Sequence, residues 1–291
     1  MLLIKTIALF QNYIKLTKPR IIPLLLITAI GGMLLGAKEI PNITTILTVL
    51  IGGSLASGGA SSINQYLEHD IDTKMSRTND RPIATGTIKP INALIFGIVL
   101  NIISLFVFII YTNLLSGLLA IGATIFYVVI YTIILKRSTH QNIVIGGAAG
   151  AIPPIIGWTA VTGSIGIPAL ILFAIIFIWT PPHFWALSLI LKDDYAAAKI
   201  PMLPVVHGIE KTKKEIFKYS ILVFITTLTL IFAENIGMIY MIPAFVLGLF
   251  FIYLSWDLLK SEEIKKAKSL FYYSMLYLSI IFIAIMIDSL I

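Results

Sequence analysis

The chain has 291 residues, of which 58% are hydrophobic and only 12% are charged. Soluble domains carry about one quarter charged residues, so this composition indicates a protein that crosses a membrane several times. The net charge of +7 then bears on orientation in the lipid bilayer, and we expect no nucleic-acid partner. The absence of cysteine excludes disulfides, thiolate metal sites and cysteine nucleophiles.

Apolar segments of spanning length dominate the chain. The start, 1–10, is apolar around Lys5 and is followed by basic residues, which predicts an interfacial amphipathic helix and not a cleaved signal. Nine apolar runs follow, near 21–37, 43–63, 91–111, 114–135, 142–162, 167–190, 217–234, 237–257 and 269–288. The first and seventh are short, so eight spans stay possible. We therefore predict an all-α, polytopic membrane helical bundle of about nine transmembrane helices, forming one domain over 1–291.

The basic residues predict the orientation of this bundle. With the N-terminus in the cytoplasm, all but one of the 21 Lys and Arg residues fall on the inner side, and the exception is Lys38. Such a bias is typical of cytoplasmic segments. The two long polar loops, 64–90 and 191–216, then share the cytoplasmic face, where we expect the function to lie.

The first polar loop carries oxygen ligands at helical spacing. Asn64, Glu68 and Asp72 recur every four residues, which on a helix places them along one face. Hard oxygen ligands without thiolates or paired histidines favour Mg²⁺. Basic residues suited to phosphate oxygens follow closely: Lys74, Arg77 and Arg81. The pattern predicts a Mg²⁺–diphosphate site; the alternative is a solvated helix end that only marks the water interface.

The sixth span contains two consecutive prolines. Pro181 and Pro182 remove backbone donors, which predicts a kink or break in the helix. The adjacent His183 has two interpretations. It lines a cavity, or it simply hydrogen-bonds a carbonyl that the prolines release.

Two acids follow at the end of that span. Asp193 and Asp194 are either a second set of Mg²⁺ ligands or a marker of the membrane interface. Tyr195 and Lys199 lie within reach of phosphate oxygens in the first interpretation. Adjacent acids point to different faces of a helix, so the two cannot both bind one ion closely.

Small residues form two further patterns. Residues 57–62 and 146–150 are almost all Gly, Ala or Ser, which favours close helix packing; the alternative is room for a flat or long apolar substrate. Pro153 and Pro154 predict a bend in the fifth span.

Three segments resemble a known family. They are Asn-x-x-x-Glu-x-x-x-Asp with Met-x-Arg-Thr-x-x-Arg-Pro (64–82), Pro-His-Phe-Trp-Ala-Leu (182–187) and Asp-Tyr-x-x-Ala-Lys-Ile-Pro-Met-Leu-Pro (194–204). Together they resemble the protohaem IX farnesyltransferases, or haem O synthases, among the UbiA-type intramembrane prenyltransferases. The similarity covers nearly the whole chain in length and in the layout of its spans.

The resemblance implies a fold and a reaction. The helices would surround a central cavity open to the membrane. Farnesyl diphosphate would react with the 2-vinyl group of haem B, with addition of water, to give haem O and pyrophosphate. Mg²⁺ is the implied cofactor and haem B is a substrate. A multi-pass location in the bacterial inner membrane, with cytoplasmic active-site loops and handover to haem A synthase or a terminal oxidase, is also implied.

The resemblance also assigns roles to residues. The implied catalytic residues are Asn64, Glu68, Asp72, Arg77, Arg81 and Asp194. The implied metal ligands are Asn64, Glu68, Asp72, Asp193 and Asp194. The implied substrate-binding residues are His183, Lys74, Tyr195 and Lys199. The second motif of the superfamily is commonly Asp-x-x-x-Asp, and here its later acid is replaced within an alanine run, 196–198. The Asp-Tyr form matches the haem branch.

The chemistry expected of such a site needs no protein nucleophile. Departure of pyrophosphate leaves an allylic cation, which the vinyl group attacks, and water quenches the resulting porphyrin-stabilised cation. The sequence does not identify the residue that activates this water. Competing interpretations are a prenyltransferase for an aromatic or quinone precursor, a membrane transporter and a haem chaperone.

Overall fold

The computed structural model describes residues 2–233 and 236–291. Within them every regular element is a helix. In the first half these are α1 (Leu2–Leu16), α2 (Ile22–Ala37), α3 (Ile43–Leu67), α4 (His69–Asp72), α5 (Pro90–Tyr111) and α6 (Leu114–Ile125). In the second half they are α7 (Asn142–Ala151), α8 (Pro153–Thr162), α9 (Ile167–Ile190), α10 (Lys192–Ala197), α11 (Leu203–Val206), α12 (Gly208–Leu228), α13 (Met238–Lys260) and α14 (Lys265–Asp288).

The spans match the predicted membrane bundle. The described residues contain 8 helical stretches long and apolar enough to cross a membrane. The ninth apolar helix, α2, has 16 residues and is shorter than the roughly 20 that a span needs. The prediction of an all-helical membrane bundle is confirmed.

One predicted boundary is wrong. The seventh span begins at Gly208, as α12, and not near 217. Its first turns are charged, and ion pairs within the helix satisfy these charges: Lys213–Glu210, Lys211–Glu215 and Lys218–Glu215. Because hydropathy ignores such pairs, the charged turns had been assigned to the preceding loop. The predicted end of this span at Glu234, and Asn235 in the next link, lie outside the described residues.

The prolines act differently in two helices. α9 runs unbroken through Pro181 and Pro182, so a break there, one of the two predicted alternatives, is wrong, and a kink stays a prediction. Neighbouring helices and hydroxyl side chains make prolines tolerable in membrane helices, and α9 packs against α7, α12 and α14. The fifth span, by contrast, is interrupted between α7 and α8, directly before Pro153, as predicted.

Small residues bring helices close together. A methyl group on Gly59 of α3 would collide with the carbonyl of Gly97 and the side chain of Asn101 in α5. Nearby, Ser62 Oγ donates to the carbonyl of Ala93 at 2.8 Å. Gly147 of α7 likewise faces Thr180 of α9. At these positions the small residues serve packing.

The fourth span changes its helical geometry halfway. α6 continues into a π-helix over Phe126–Leu135. Its last bond runs from the Lys136 N–H to the carbonyl of Tyr131, at 2.8 Å. Such wide turns are rare and are frequent at functional sites.

The two polar segments meet at one end of the bundle. An apolar cluster joins the residues after α3 to those after α9 and to the start of α7; it comprises Ile71, Met75, Ile143, Tyr195, Ala198, Ile200 and Met202. The packing of these residues holds both predicted motifs beside the end of the π-helix.

Candidate active site

The oxygen-bearing stripe of the first motif is buried. α3 ends at Leu67, so Asn64, Glu68 and Asp72 do not share one continuous helix. Hydrogen bonds from the Glu68 N–H to the Asn64 carbonyl (3.0 Å) and from the Asp72 N–H to the Glu68 carbonyl (2.9 Å) nevertheless keep the helical spacing. The three side chains are only 1%, 2% and 2% exposed. Burial at this level requires a partner for each polar group.

A cationic side chain contacts each member of the stripe. Lys18 Nζ donates to Asn64 Oδ1 at 2.8 Å. Lys136 Nζ lies 2.5 Å from Glu68 Oε1. Arg81 directs one nitrogen to both Asp72 carboxylate oxygens, at 2.7 and 2.8 Å. We call this group the cation cluster; it consists of Lys18, Arg81 and Lys136 around Asn64, Glu68 and Asp72.

The charges of the cation cluster are nearly balanced. Lys136 and Arg81 pair with the carboxylates of Glu68 and Asp72. Burial opposes ionisation of Glu68, but the charges of Lys136 and Lys18 outweigh it and hold the pKa of this carboxyl below its usual value. Burial, and then the neighbouring Arg81 charge, lower the pKa of Lys18 to about 7. An anion beside Lys18 would favour its protonated form, so the site suits an additional anion.

The predicted phosphate-binding residues differ in their exposure to solvent. Lys74, Arg77 and Lys199 are exposed. Tyr195 is buried beside Arg77, and burial raises the pKa of its hydroxyl despite that positive charge. Solvent therefore reaches the three basic side chains, whereas Arg81 is paired with Asp72.

Asp194 links the two motifs. Its carboxylate accepts from Ser76 Oγ at 2.5 Å and from the Ser76 N–H at 3.1 Å. Both acids lie in the first turn of α10 and not at the end of α9 as predicted, because the chain turns at Leu191. Asp193 is exposed. Between residues 2 and 291, the described positions contain no group of three or more His, Asp or Glu side chains that could hold a metal ion.

His183 lies apart from the cation cluster, between α9 and α14. Its Nδ1 lies 2.7 Å from Ser274 Oγ. The ring stacks between Trp179 and Phe271, with centroids 4.3 and 4.6 Å away. One predicted alternative was a hydrogen bond from His183 to a carbonyl freed by the prolines. The ring instead bonds to the hydroxyl group of Ser274. Contact of His183 with haem stays a prediction.

Recesses of about 470 and 330 Å³ occur elsewhere on the molecule. The larger is lined by Lys38, Gly237 and Asp288, and the smaller by Phe10, Tyr13 and other residues of α1 and α5. The central cavity expected from the resemblance stays a prediction.

The amino-acid sequence matches a known protein family. Residues 25–281 match the UbiA prenyltransferase family. The chain belongs to the UbiA prenyltransferase family. Similar curated relatives within it are protoheme IX farnesyltransferases: one from Gloeothece citriformis is 47% identical, over 96% of this chain and 87% of the relative. One from Synechocystis is 45% identical, over 97% of this chain and 90% of the relative. The resemblance stated from the motifs is confirmed.

Solved UbiA structures confirm the fold. The structure of a digeranylgeranylglyceryl phosphate synthase gives a TM-score of 0.79 at 19% identity, covering 97% of this chain and 99% of that one. A UbiA homologue from Archaeoglobus fulgidus, bound to GPP and Mg²⁺, gives 0.69 at 18% identity, covering 94% and 99%. Members of this fold thus bind Mg²⁺ together with an isoprenoid diphosphate.

The residues of this UbiA chain fit Mg²⁺ in part. Asn64, Glu68 and Asp72 offer hard oxygens, but each is hydrogen-bonded to a cationic side chain that Mg²⁺ would displace. Mg²⁺ commonly uses one or two carboxylates, retains waters and takes the remaining ligands from substrate phosphates. The stripe therefore supplies the one or two carboxylates that Mg²⁺ commonly takes from a protein. Among the described residues it does not form a group of three or more acidic or histidine ligands.

Several contact residues of this site were missed from the sequence. Lys18 and Lys136 had served only as topology markers, and Ser76 and Thr132 had received no role. Asn64 Nδ2 donates to Thr132 Oγ1 at 3.1 Å, which orients its oxygen toward Lys18. The sequence did contain a signal for both lysines. Lys18 lies directly before the first span and Lys136 directly after the fourth, so both were predicted on the same side of the membrane as the acidic motif.

Proposed function

We propose that this chain transfers a farnesyl group from farnesyl diphosphate to the 2-vinyl group of haem B, with addition of water, giving haem O and pyrophosphate. The observation that carries this proposal is the cation cluster, which gathers three basic side chains at one end of an apolar bundle. The UbiA family membership and the identity of about 47% to protoheme IX farnesyltransferases support it.

The cluster suits a diphosphate that is about to leave. Lys18, Arg81 and Lys136 supply donors whose positive charge stabilises the oxygens as the bond to the farnesyl carbon breaks. Arg77, Lys74 and Lys199 are exposed and would add further donors once the anion arrives. Preorganised cations in a water-poor site stabilise developing negative charge more strongly than the same groups in water.

Mg²⁺ fits the same site as a cofactor. Asn64, Glu68 and Asp72 would hold it, and Asp194 and Asp193 are candidates for a second contact from the other motif. When bound, the ion would neutralise charge on the diphosphate and make pyrophosphate a better leaving group. Lys18, Lys136 and Arg81 would then be released from the oxygens that they contact here and could turn to phosphate oxygens.

The apolar surroundings suit the other substrate and the reactive cation. The stacked rings of Tyr127 and Tyr131, with centroids 5.5 Å apart, lie on the π-helix beside the cluster. Aromatic faces stabilise positive charge and exclude water. We expect haem B to approach from this side, and His183 is the candidate for contact with the haem iron or a propionate.

The location of the reaction follows from the charges. The cation cluster lies on the side on which nearly all basic residues were predicted, which in membrane proteins is the cytoplasmic side. We therefore place the chain in the bacterial inner membrane with its active site facing the cytoplasm. Farnesyl diphosphate can reach it from that compartment and haem from the bilayer, and haem A synthase or a terminal oxidase would receive the product.

The test is a direct assay of the reaction. Membranes that contain the chain are incubated with haem B, farnesyl diphosphate and Mg²⁺, with and without EDTA, and the extracted haem is examined by mass spectrometry. The expected result is a haem heavier by one farnesyl group and one hydroxyl group, formed only without EDTA. Unchanged haem B alongside a prenylated aromatic acid would refute the acceptor and keep the family reaction.

A further inference from the structure

One buried amide near the active site has no hydrogen-bond partner. Asn142 at the start of α7 is fully buried, and neither its Nδ2 nor its Oδ1 meets a partner. Among the described residues, other buried asparagines are satisfied: Asn101 donates to the Gly97 carbonyl at 2.9 Å and accepts from Thr124 Oγ1 at 2.8 Å. An unsatisfied buried amide is unfavourable for folding and therefore calls for another explanation.

Asn142 begins a helix, α7, that packs against the π-helix next to the cation cluster. Asn142, Gly146 and Gly150 recur every four residues and so share one face of α7. A methyl group on Gly146 would collide with the Tyr131 ring, and this ring lies 5.8 Å from Lys136 Nζ. One turn further along, a methyl group on Gly150 would meet nothing within 4 Å. The face thus passes from the amide, past the tyrosine, to open space between helices.

The amide offers both a donor and an acceptor to its ligand. A carboxylate or phosphate oxygen would satisfy only Nδ2, and a cation would satisfy only Oδ1. A water molecule or hydroxyl group satisfies both. One reactant of the proposed function has this property, namely the water that ends the reaction as the hydroxyl group of the product.

We propose that Asn142 binds and positions the water that quenches the haem-centred cation, an inference that rests on the proposed function. When the terminal vinyl carbon bonds to the farnesyl carbon, positive charge develops on the carbon attached to the porphyrin. The water oxygen, held by the amide, forms the new carbon–oxygen bond. Its surplus proton passes to the departed pyrophosphate. Without a positioned water, the same cation loses a proton from the newly formed CH₂ group and becomes an alkene, and pyrophosphate again accepts the proton.

The test measures which product forms. Full-length wild type, Asn142→Leu and Asn142→Ser are incubated in membranes with haem B, farnesyl diphosphate and Mg²⁺. Mass spectrometry separates the farnesylated alcohol from the farnesylated alkene, which is lighter by one water. In Asn142→Leu we expect most of the alcohol to be lost and the alkene to replace it. Asn142→Ser keeps a donor and an acceptor, so it should recover part of the alcohol.

A matched control distinguishes this role from a structural one. Asn101→Leu removes a buried amide that is fully hydrogen-bonded, so its unfolding temperature should fall while the ratio of alcohol to alkene stays that of wild type. Asn142→Leu loses no hydrogen bond within the protein and should unfold at or above the wild-type temperature.

Three results would overturn the inference. An unchanged alcohol share in Asn142→Leu would show that the water is held elsewhere. A fall in unfolding temperature as large as in Asn101→Leu would assign the amide a structural role. Loss of all turnover without alkene would place Asn142 in substrate binding. Absence of any farnesylated haem from wild type would instead refute the proposed function, and the inference with it.

Discussion

Replacement of Lys136 by methionine tests whether the cation cluster compensates buried charge. Glu68 is 2% exposed, and Lys136 is its direct ion-pair partner at 2.5 Å. Removing one partner of a buried ion pair costs about 3–5 kcal/mol. Because Lys18 and Arg81 also lower the pKa of Glu68, part of the compensation remains in the variant. We therefore expect a loss of about 3 kcal/mol in the free energy of unfolding.

The assay is thermal unfolding of the purified protein within a double-mutant cycle. At about 2 °C per kcal/mol for a chain of this size, Lys136→Met should lower the unfolding temperature by roughly 6 °C. Adding Glu68→Gln removes the uncompensated charge and should restore most of that loss. Activity should not return, because a charged donor to the diphosphate is still missing and the Glu68 carboxylate, proposed to hold Mg²⁺, is lost as well. That donor is worth about 1.5–3 kcal/mol, or roughly ten- to 150-fold in kcat/KM.

The neighbouring residue provides the control. Arg137 pairs with Asp70 at 2.7 Å, but the two side chains are 45% and 47% exposed. Exposed pairs contribute about 0–1 kcal/mol, so Arg137→Met should unfold within about 2 °C of wild type. Equal losses in Lys136→Met and Arg137→Met, or a double variant less stable than Lys136→Met, would refute the reasoning about buried charge.

Three other predictions concern the link between motifs, helix packing and the metal. Ser76→Ala removes a hydroxyl donor to Asp194. The loss of about 1 kcal/mol of transition-state stabilisation should lower kcat/KM about fivefold in steady-state kinetics. An unchanged kcat/KM would mean that the bond between Ser76 and Asp194 does not act in turnover. Gly59→Ala should lower the free energy of unfolding by about 1–3 kcal/mol, because the added methyl group pushes α3 away from α5. The methyl group of Gly122→Ala meets nothing within 4 Å, so this control variant should match wild type in thermal unfolding. EDTA should abolish turnover, and Mg²⁺ should restore it without a change in fold by circular dichroism; activity that persists in EDTA would exclude Mg²⁺ dependence.

Much of the architecture could be predicted from the sequence. Runs of apolar residues near spanning length identify membrane helices directly, because the bilayer sets their length. The boundaries failed where side chains compensate one another, as in the charged first turns of α12, or where tertiary packing overrides a local preference, as at Pro181 and Pro182. Both effects depend on neighbours that a single segment does not reveal.

The active site was predicted in part, for a similar reason. The spacing of Asn64, Glu68 and Asp72 persisted although the helix ends among them, since hydrogen bonds between residues four apart continue across the junction. The partners of these residues come from far along the chain: Lys18 precedes the first span, and Lys136 follows the fourth. No local pattern connects a lysine to a carboxylate 68 residues away, and only the folded bundle shows that they meet.

The π-helix of the fourth span has a consequence for how this chain can evolve. Residues five positions apart, such as Tyr131 and Lys136, align on a π-helix but lie roughly 140° apart around an α-helix. Closing the stretch 126–135 into α-helical turns at unchanged length would therefore rotate Lys136 away from Glu68. Deleting one residue between Tyr131 and Lys136 would leave them four positions apart, and an α-helix aligns residues at that spacing. The wide turns and the residue count of this stretch thus depend on each other, and we expect a change in one to be tolerated only together with a change in the other.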